Sequence, residues 1–124
     1  MKTMLIVDDS AFARSLLKIV IDDLDIKVVG EADNGITGVE MYKELMPDIT
    51  ALDYAMDGGN GISALEDILQ HNPNAVVIII SSIAGQTQVI NEATALGAKG
   101  VFIKPINKKQ FTDGINKIIS EMGV

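Results

Sequence analysis

Short apolar runs alternate along the chain with longer stretches in which apolar residues recur every three or four positions. Met4–Asp8 is a short run that closes on acids, and it predicts a buried strand. After it, Ala13, Leu16, Leu17, Val20, Ile21 and Leu24 keep i, i+3, i+4, i+7 spacing, predicting a helix with Ser10 as its N-cap. Lys27–Ala32 predicts a second strand, and Gly35–Leu45 a helix presenting Val39, Tyr42 and Leu45, closed by Pro47. Ile49–Asp53 predicts a third strand, again ending in an acid. Gly58-Gly59-Asn60-Gly61 predicts a loop by composition. Ile62, Leu65, Ile68 and Leu69 form a helical stripe that Asn72-Pro73 stops, and uninterrupted Ala75–Ile80 predicts a strand buried on both faces. Gln86–Leu96 carries Val89, Ile90, Ala93 and Leu96 up to Gly97. Gly100–Lys104 predicts a fifth strand, and Phe111, Ile115, Ile118, Ile119 and Met122 stripe a final helix.

This is β-α repeated five times with short connections, so residues 1–124 are expected to form one α/β domain. Continuous apolar strands alternating with helices imply a parallel sheet covered on both faces. In such sheets ligands bind beyond the carboxyl ends of the strands, where strand order reverses.

Composition narrows the function classes. A net charge of −7 and a pI near 4.5 disfavour binding to nucleic acid or to an anionic membrane. With no Cys, there is no disulfide, thiolate metal site or Cys nucleophile. The apolar start of the chain meets Asp8-Asp9 too early for a signal peptide, and no run is long enough to span a bilayer. The cytoplasm is the expected location.

The chemistry gathers at the predicted strand ends. Asp8 and Asp9 follow the first strand, Asp53 ends the third, Ser81-Ser82 end the fourth and Lys104-Pro105 the fifth. Two unit charges about 4 Å apart at an effective dielectric near 20 repel by roughly 4 kcal/mol. Lys104 supplies one compensating charge, and a hard divalent cation such as Mg²⁺ suits the remaining oxygens. Other features have plainer readings. Asp33-Asn34-Gly35 reads as a turn and helix start, and His71 as a surface residue at a helix C-terminus. Gly58, Gly59 and Gly61 read as a turn, since G-x-x-x-x-G-K-[ST] is absent.

Taken in order, Met4-Leu5-Ile6-Val7-Asp8-Asp9-Ser10, Glu31-Ala32-Asp33-Asn34-Gly35, Pro47-Asp48-Ile49 leading into Asp53, Met56 and Gly61, Ser81, and Lys104-Pro105 resemble a receiver domain of two-component response regulators. The likeness is to the stand-alone, CheY-like kind and covers essentially the whole chain. It implies a flavodoxin-like sheet with strand order 2-1-3-4-5. It further implies that Asp53 accepts a phosphoryl group from a histidine kinase. Asp9, Asp53 and the main-chain carbonyl of Ala55 would bind Mg²⁺ directly, with Asp8 acting through water. Ser81 and Lys104 would each hold a phosphoryl oxygen. On this resemblance the domain is a signalling module rather than an enzyme, assisting its own phosphorylation and dephosphorylation. It would be a monomer whose face of fourth helix, fifth strand and last helix binds a downstream protein, with chemotaxis as the best-fitting setting.

The chain departs from the family pattern at three places. Asp57 stands where Pro usually follows the Met of the phosphorylation loop. Val101 occupies the switch position three residues before Lys104 where the family carries an aromatic, and Phe102 is expected on the opposite face. For the hydroxyl, counting from Pro73 favours Ser81, whereas counting back from Lys104 favours Ser82. Ser81 is preferred because bulky Ile83 follows Ser82.

Four other readings compete. A dehalogenase-like phosphatase would carry D-x-D where this chain has Asp8-Asp9-Ser10. A flavodoxin-type nucleotide binder would place a phosphate there, which Asp8-Asp9 repel. A phosphorelay carrier and a non-phosphorylated pseudo-receiver share the fold and differ in what the acids do.

Overall fold

The computed structural model describes residues 1–56, 59–82 and 86–122, without the side chains of residues 59, 60 and 86. Five parallel strands form the sheet: β1 (Lys2–Val7), β2 (Ile26–Ala32), β3 (Ile49–Asp53), β4 (Val77–Ser81) and β5 (Gly100–Ile103). Their order is β2-β1-β3-β4-β5, so the chain reverses direction of growth between β1 and β3. The expected order is the observed one.

Five helices cover both faces: α1 (Ala11–Val20), α2 (Gly35–Leu45), α3 (Gly61–His71), α4 (Gln86–Leu96) and α5 (Lys108–Glu121). Strand residues alternate between two cores, which is why their sequences read as unbroken apolar runs. Leu5, Val7, Leu52, Val77 and Ile79 pack with Val39, Tyr42, Leu65, Ile68, Val89 and Ala93 of α2–α4. Met4, Ile6, Ala51, Ile78 and Ile80 pack with Leu17, Ile21, Phe111 and Ile115 on the α1 and α5 side.

Helix ends follow local chemistry. Ser10 Oγ accepts from the Ala13 amide at 3.1 Å and Asn34 Oδ1 from the Thr37 amide at 2.8 Å, capping α1 and α2. Gly97, at φ +116°, ends α4 in the left-handed region, where a Cβ would be strained.

The structure corrects several expectations. β1 stops at Val7, leaving Asp8 in the turn, and β4 starts two residues later than predicted and includes Ser81. Gly59–Asn60, expected in a loop, pair antiparallel with Ala55–Met56, and Gly61 opens α3. Gly58 and Asp57 lie outside the described residues. A Cβ on Gly61 would sit 2.5 Å from the Asp53 carbonyl oxygen, so glycine here permits a close approach of backbones. Leu16, counted in the α1 core stripe, is exposed together with Phe12 and Ile19. Leu45, Ile90 and Leu96 are likewise more than a third exposed.

Thr50 is fully buried in β3, in register with Leu5 and Val77, and its Oγ1 finds no hydrogen-bond partner among the described residues. An unpaired buried hydroxyl costs about 1–3 kcal/mol. Thr50→Val keeps the shape and is expected to raise stability by about 1 kcal/mol in a urea melt. A loss of stability would show the hydroxyl to be satisfied.

Candidate functional site

The register of the sheet decides which side chains meet at its carboxyl edge. Val7 pairs with Leu52, Leu52 with Ile79, and Ile79 with Val101, all on the α2–α4 side. Asp8 and Asp53 come one residue later and have the opposite parity. Ser82 and Lys104, each one residue past its strand, share that parity with Asp53, whereas Ser81 falls with Val101. Asp8, Asp53, Ser82 and Lys104 accordingly line one cavity of about 500 Å³, walled by Phe12 and Leu16 of α1 and by Pro105. A cavity of about 510 Å³ opens elsewhere, beside Tyr42, Asn72 and Lys99. Size does not distinguish the two; the gathered acids do.

Each site residue is held by identifiable contacts. The Asp8 amide donates to the Ala32 carbonyl at 3.0 Å, tying the turn after β1 to the end of β2. Asp8 Oδ1 accepts from the Ser10 amide at 2.9 Å and Oδ2 from Lys104 Nζ at 3.0 Å. Lys104 Nζ is also 3.3 Å from Asp53 Oδ1, so one ammonium stands between two buried carboxylates. Its own amide donates to the Ser81 carbonyl at 2.6 Å, which anchors the end of β5 to β4.

The electrostatics follow from this crowding. Burial, then the neighbouring Asp8 charge, push the Asp53 carboxyl up from 3.8 to about 6, with Asp9 adding to the rise; Lys104 offsets part of it. Burial alone would lower Lys104, but its hydrogen bond to Asp8 and the charges of Asp53 and Asp8 carry it above the ordinary lysine value. Negative charge therefore remains in excess over the one lysine. Carboxylate oxygens of Asp8, Asp9 and Asp53 lie within 4.8 Å of one another, Asp9 being the exposed member. Three close oxygen donors fit a hard divalent cation such as Mg²⁺ rather than a soft thiophilic metal. Ala55, two residues after Asp53, lies in the short antiparallel ladder.

A family model described as the response regulator receiver domain matches residues 4–116. The chain belongs to the response regulator receiver domain family. This receiver domain is 44% identical over 117 residues to the chemotaxis protein CheY of Thermotoga maritima, covering 94% of this chain and 97% of that protein. It is 39% identical over 116 residues to CheY of Bacillus subtilis, covering 94% and 96% of the two chains. Among solved structures, the CheX–CheY–BeF3–Mg²⁺ complex of Borrelia burgdorferi matches with a TM-score of 0.89 at 29% identity, over 95% of this chain and 89% of that one. The response regulator domain of Thermotoga maritima CheB matches with a TM-score of 0.80 at 36% identity, over 98% and 93%.

The two serines separate cleanly. Ser81 is buried, and its Oγ donates to the Ser82 carbonyl at 3.1 Å; Ser82 is exposed and lines the cavity with Asp53 and Lys104. The geometry thus favours the serine that the sequence argument ranked second. Ile83, whose bulk weighed against Ser82, lies outside the described residues. Val101 packs against the α2–α4 core, while Phe102 lies on the other face, its ring 4.6 Å from that of Phe111. The Asp33-Asn34-Gly35 turn starts a helix as expected, with Asn34 as its cap, and exposed His71 meets the edge of Tyr42 at 6.4 Å.

Two features escaped the sequence argument. Arg14 reaches the Asp8 turn, and the available signal was a cation in the first turn of a helix, where the helix dipole disfavours it. The exposed series Phe12, Leu16, Ile19 has i, i+4, i+7 spacing, and Leu16 also fits the spacing of the core stripe, which hides the series.

Proposed function

We propose that this receiver domain accepts a phosphoryl group on Asp53 from the phosphohistidine of a histidine kinase and then binds a downstream protein of a chemotaxis system in the cytoplasm. The observation that carries the reading is the buried Asp53 carboxylate set between Lys104 and two further acids. In the step itself, an Asp53 oxygen forms a bond to phosphorus while the phosphorus–nitrogen bond breaks. The electron pair of that bond stays on the imidazole of the donor. Lys104 answers the charge on a phosphoryl oxygen as a mobile point charge, leaving its pairing with Asp8.

Asp9 and Asp53 would hold Mg²⁺ directly, together with the Ala55 main-chain carbonyl. Asp8 has both carboxylate oxygens engaged, by Ser10 and Lys104, which suits an indirect part through water. When bound, the ion supplies positive charge against the phosphoryl oxygens. The hydroxyl that holds a phosphoryl oxygen is Ser82 on this reading. The phosphoryl group, carrying about −1.5 to −2 where the carboxylate carried −1, draws Ser82 inward and reshapes the face of α4, β5 and α5. Support for a protein output comes from the Borrelia relative, whose structure is a complex with CheX. No helix among the described residues is long and apolar enough to cross a membrane.

The test is incubation with a small acyl phosphate, with Mg²⁺ or with EDTA. Mass spectrometry should find one phosphoryl group added only with Mg²⁺. Equal modification in EDTA would sink the metal assignment, and no modification under either condition would favour the pseudo-receiver. Ser82→Ala should still take up phosphate but lose most of the rise in partner affinity that beryllofluoride gives the wild type. Ser81→Ala should keep that rise; the reverse pattern would restore Ser81 to the role.

A further inference from the structure

Arg14 sits in the first turn of α1, at the positive end of the helix dipole, so a guanidinium there needs a specific anionic or carbonyl partner. It has two. Nη1 donates to the Asp8 carbonyl at 2.6 Å, and Nε donates to Glu31 Oε1 at 3.0 Å. Glu31 is on β2, next to Ala32, whose carbonyl accepts the Asp8 amide. The other oxygen of Glu31 accepts from Lys18 Nζ at 2.9 Å, one turn further along α1. The hydrogen bond from Lys18, with that from Arg14, keeps the Glu31 carboxyl below its ordinary value and therefore charged at neutral pH.

The carbonyl that Arg14 grips belongs to the peptide joining Asp8 to Asp9. A peptide unit is planar, so fixing its oxygen fixes the plane from which the Asp9 backbone departs. Asp8 is held at its amide by Ala32, at one carboxylate oxygen by Ser10 and at the other by Lys104. Asp9 is exposed, its carboxylate lies within 4.8 Å of those of Asp8 and Asp53, and the peptide before it sets where its backbone starts.

We infer that Arg14, braced by Glu31, is a positioning residue that aims the Asp9 carboxylate at the cation site it shares with Asp53. The inference rests on the Mg²⁺ reading of the acid cluster given above. It also makes a prediction of opposite sign to simple electrostatics. Removing a positive charge beside three acids would tighten cation binding if Arg14 acted through its charge alone. As a positioning residue its loss weakens binding.

The experiment is a Mg²⁺ titration followed by NMR on the full chain, beside a thermal melt in EDTA. Arg14→Ala should raise the Mg²⁺ Kd about five- to tenfold. Arg14→Lys keeps the charge and can reach the Asp8 carbonyl, but a single ammonium cannot reproduce the two-pronged grip; it should recover part of the loss. Glu31→Gln should weaken Mg²⁺ about two- to threefold. Unchanged or tighter binding in Arg14→Ala overturns the inference, whatever happens to the melting temperature. Asp9→Asn serves as the control. If it loses Mg²⁺ while Arg14→Ala does not, the positioning role alone fails. If Asp9→Asn binds like wild type, the reading of the acid cluster fails and this inference with it.

Discussion

Asp53→Asn is expected to abolish phosphoryl uptake from a small acyl phosphate in the presence of Mg²⁺. The amide has no oxygen lone pair of carboxylate basicity to attack phosphorus, and it takes one negative charge out of the three carboxylates grouped within 4.8 Å. The other acids do not replace it, since Asp8 is committed to Ser10 and Lys104 and Asp9 is exposed at the rim. Mass spectrometry of the treated variant should show no added phosphoryl group, and one gained at the same position would refute the assignment. The same substitution has a thermodynamic consequence in EDTA. The Asp53 carboxyl is raised from 3.8 to about 6 in the folded chain, chiefly by burial. The folded state therefore binds this proton more tightly than the unfolded state. The associated stability is fully present below about 3.8 and is lost as the pH rises through about 6. At pH 7 the wild type carries an ionised carboxylate that burial opposes, and asparagine does not. The variant should be more stable than wild type at pH 7 by about 1–2 kcal/mol, allowing for partial solvent screening and the lost attraction to Lys104. The difference should fade between pH 6 and pH 4 in urea melts. A constant difference over that range would mean that Asp53 titrates normally.

Gly61→Ala should be the most destabilising single-methyl change at the site. The added Cβ would lie 2.5 Å from the Asp53 carbonyl oxygen and 3.2 Å from Tyr54 Cα, contacts with backbone that no rotamer can relieve. The Gly61 amide also donates to the Tyr54 carbonyl at 2.7 Å, so α3 cannot retreat without breaking that bond. Overpacking of this kind typically costs about 1–3 kcal/mol, and the lost hydrogen bond adds to it. Chemical denaturation should show at least about 2 kcal/mol of destabilisation. Because the backbone displaced is that of Asp53, Mg²⁺ affinity should fall as well. A fully stable Gly61→Ala variant with unchanged Mg²⁺ binding would show that α3 can move away freely.

How far the sequence reached can be read from particular residues. The two-faced sheet was legible because residues such as Leu5 and Ile6, or Ile78 and Ile79, are apolar in succession, which only a doubly covered strand requires. Asp8, Asp9, Asp53 and Lys104 were legible because a parallel sheet collects its strand ends at one edge. Ser81 and Ser82 could not be separated by counting, since a one-residue change in where β4 ends reverses which serine faces the acids. The pairing of Gly59–Asn60 with Ala55–Met56 was hidden because glycine composition announces a turn, not what the turn pairs with. Arg14 and Glu31 stand seventeen positions apart, and only the adjacency of α1 and β2 brings them together.

The parity of the strand ends divides the molecule into two compartments with the sheet as a wall. Asp53, Lys104 and Ser82 open on the α1 side, whereas Ser81, Val101 and the buried side of α4 belong to the other. Fully buried Ile79 and Leu52 fill the middle of that wall. The covalent chain offers a short path from the site to α4, with only three residues between Ser82 and the start of α4 at Gln86. Inserting residues into that tether should uncouple partner binding from phosphorylation while leaving phosphoryl uptake intact.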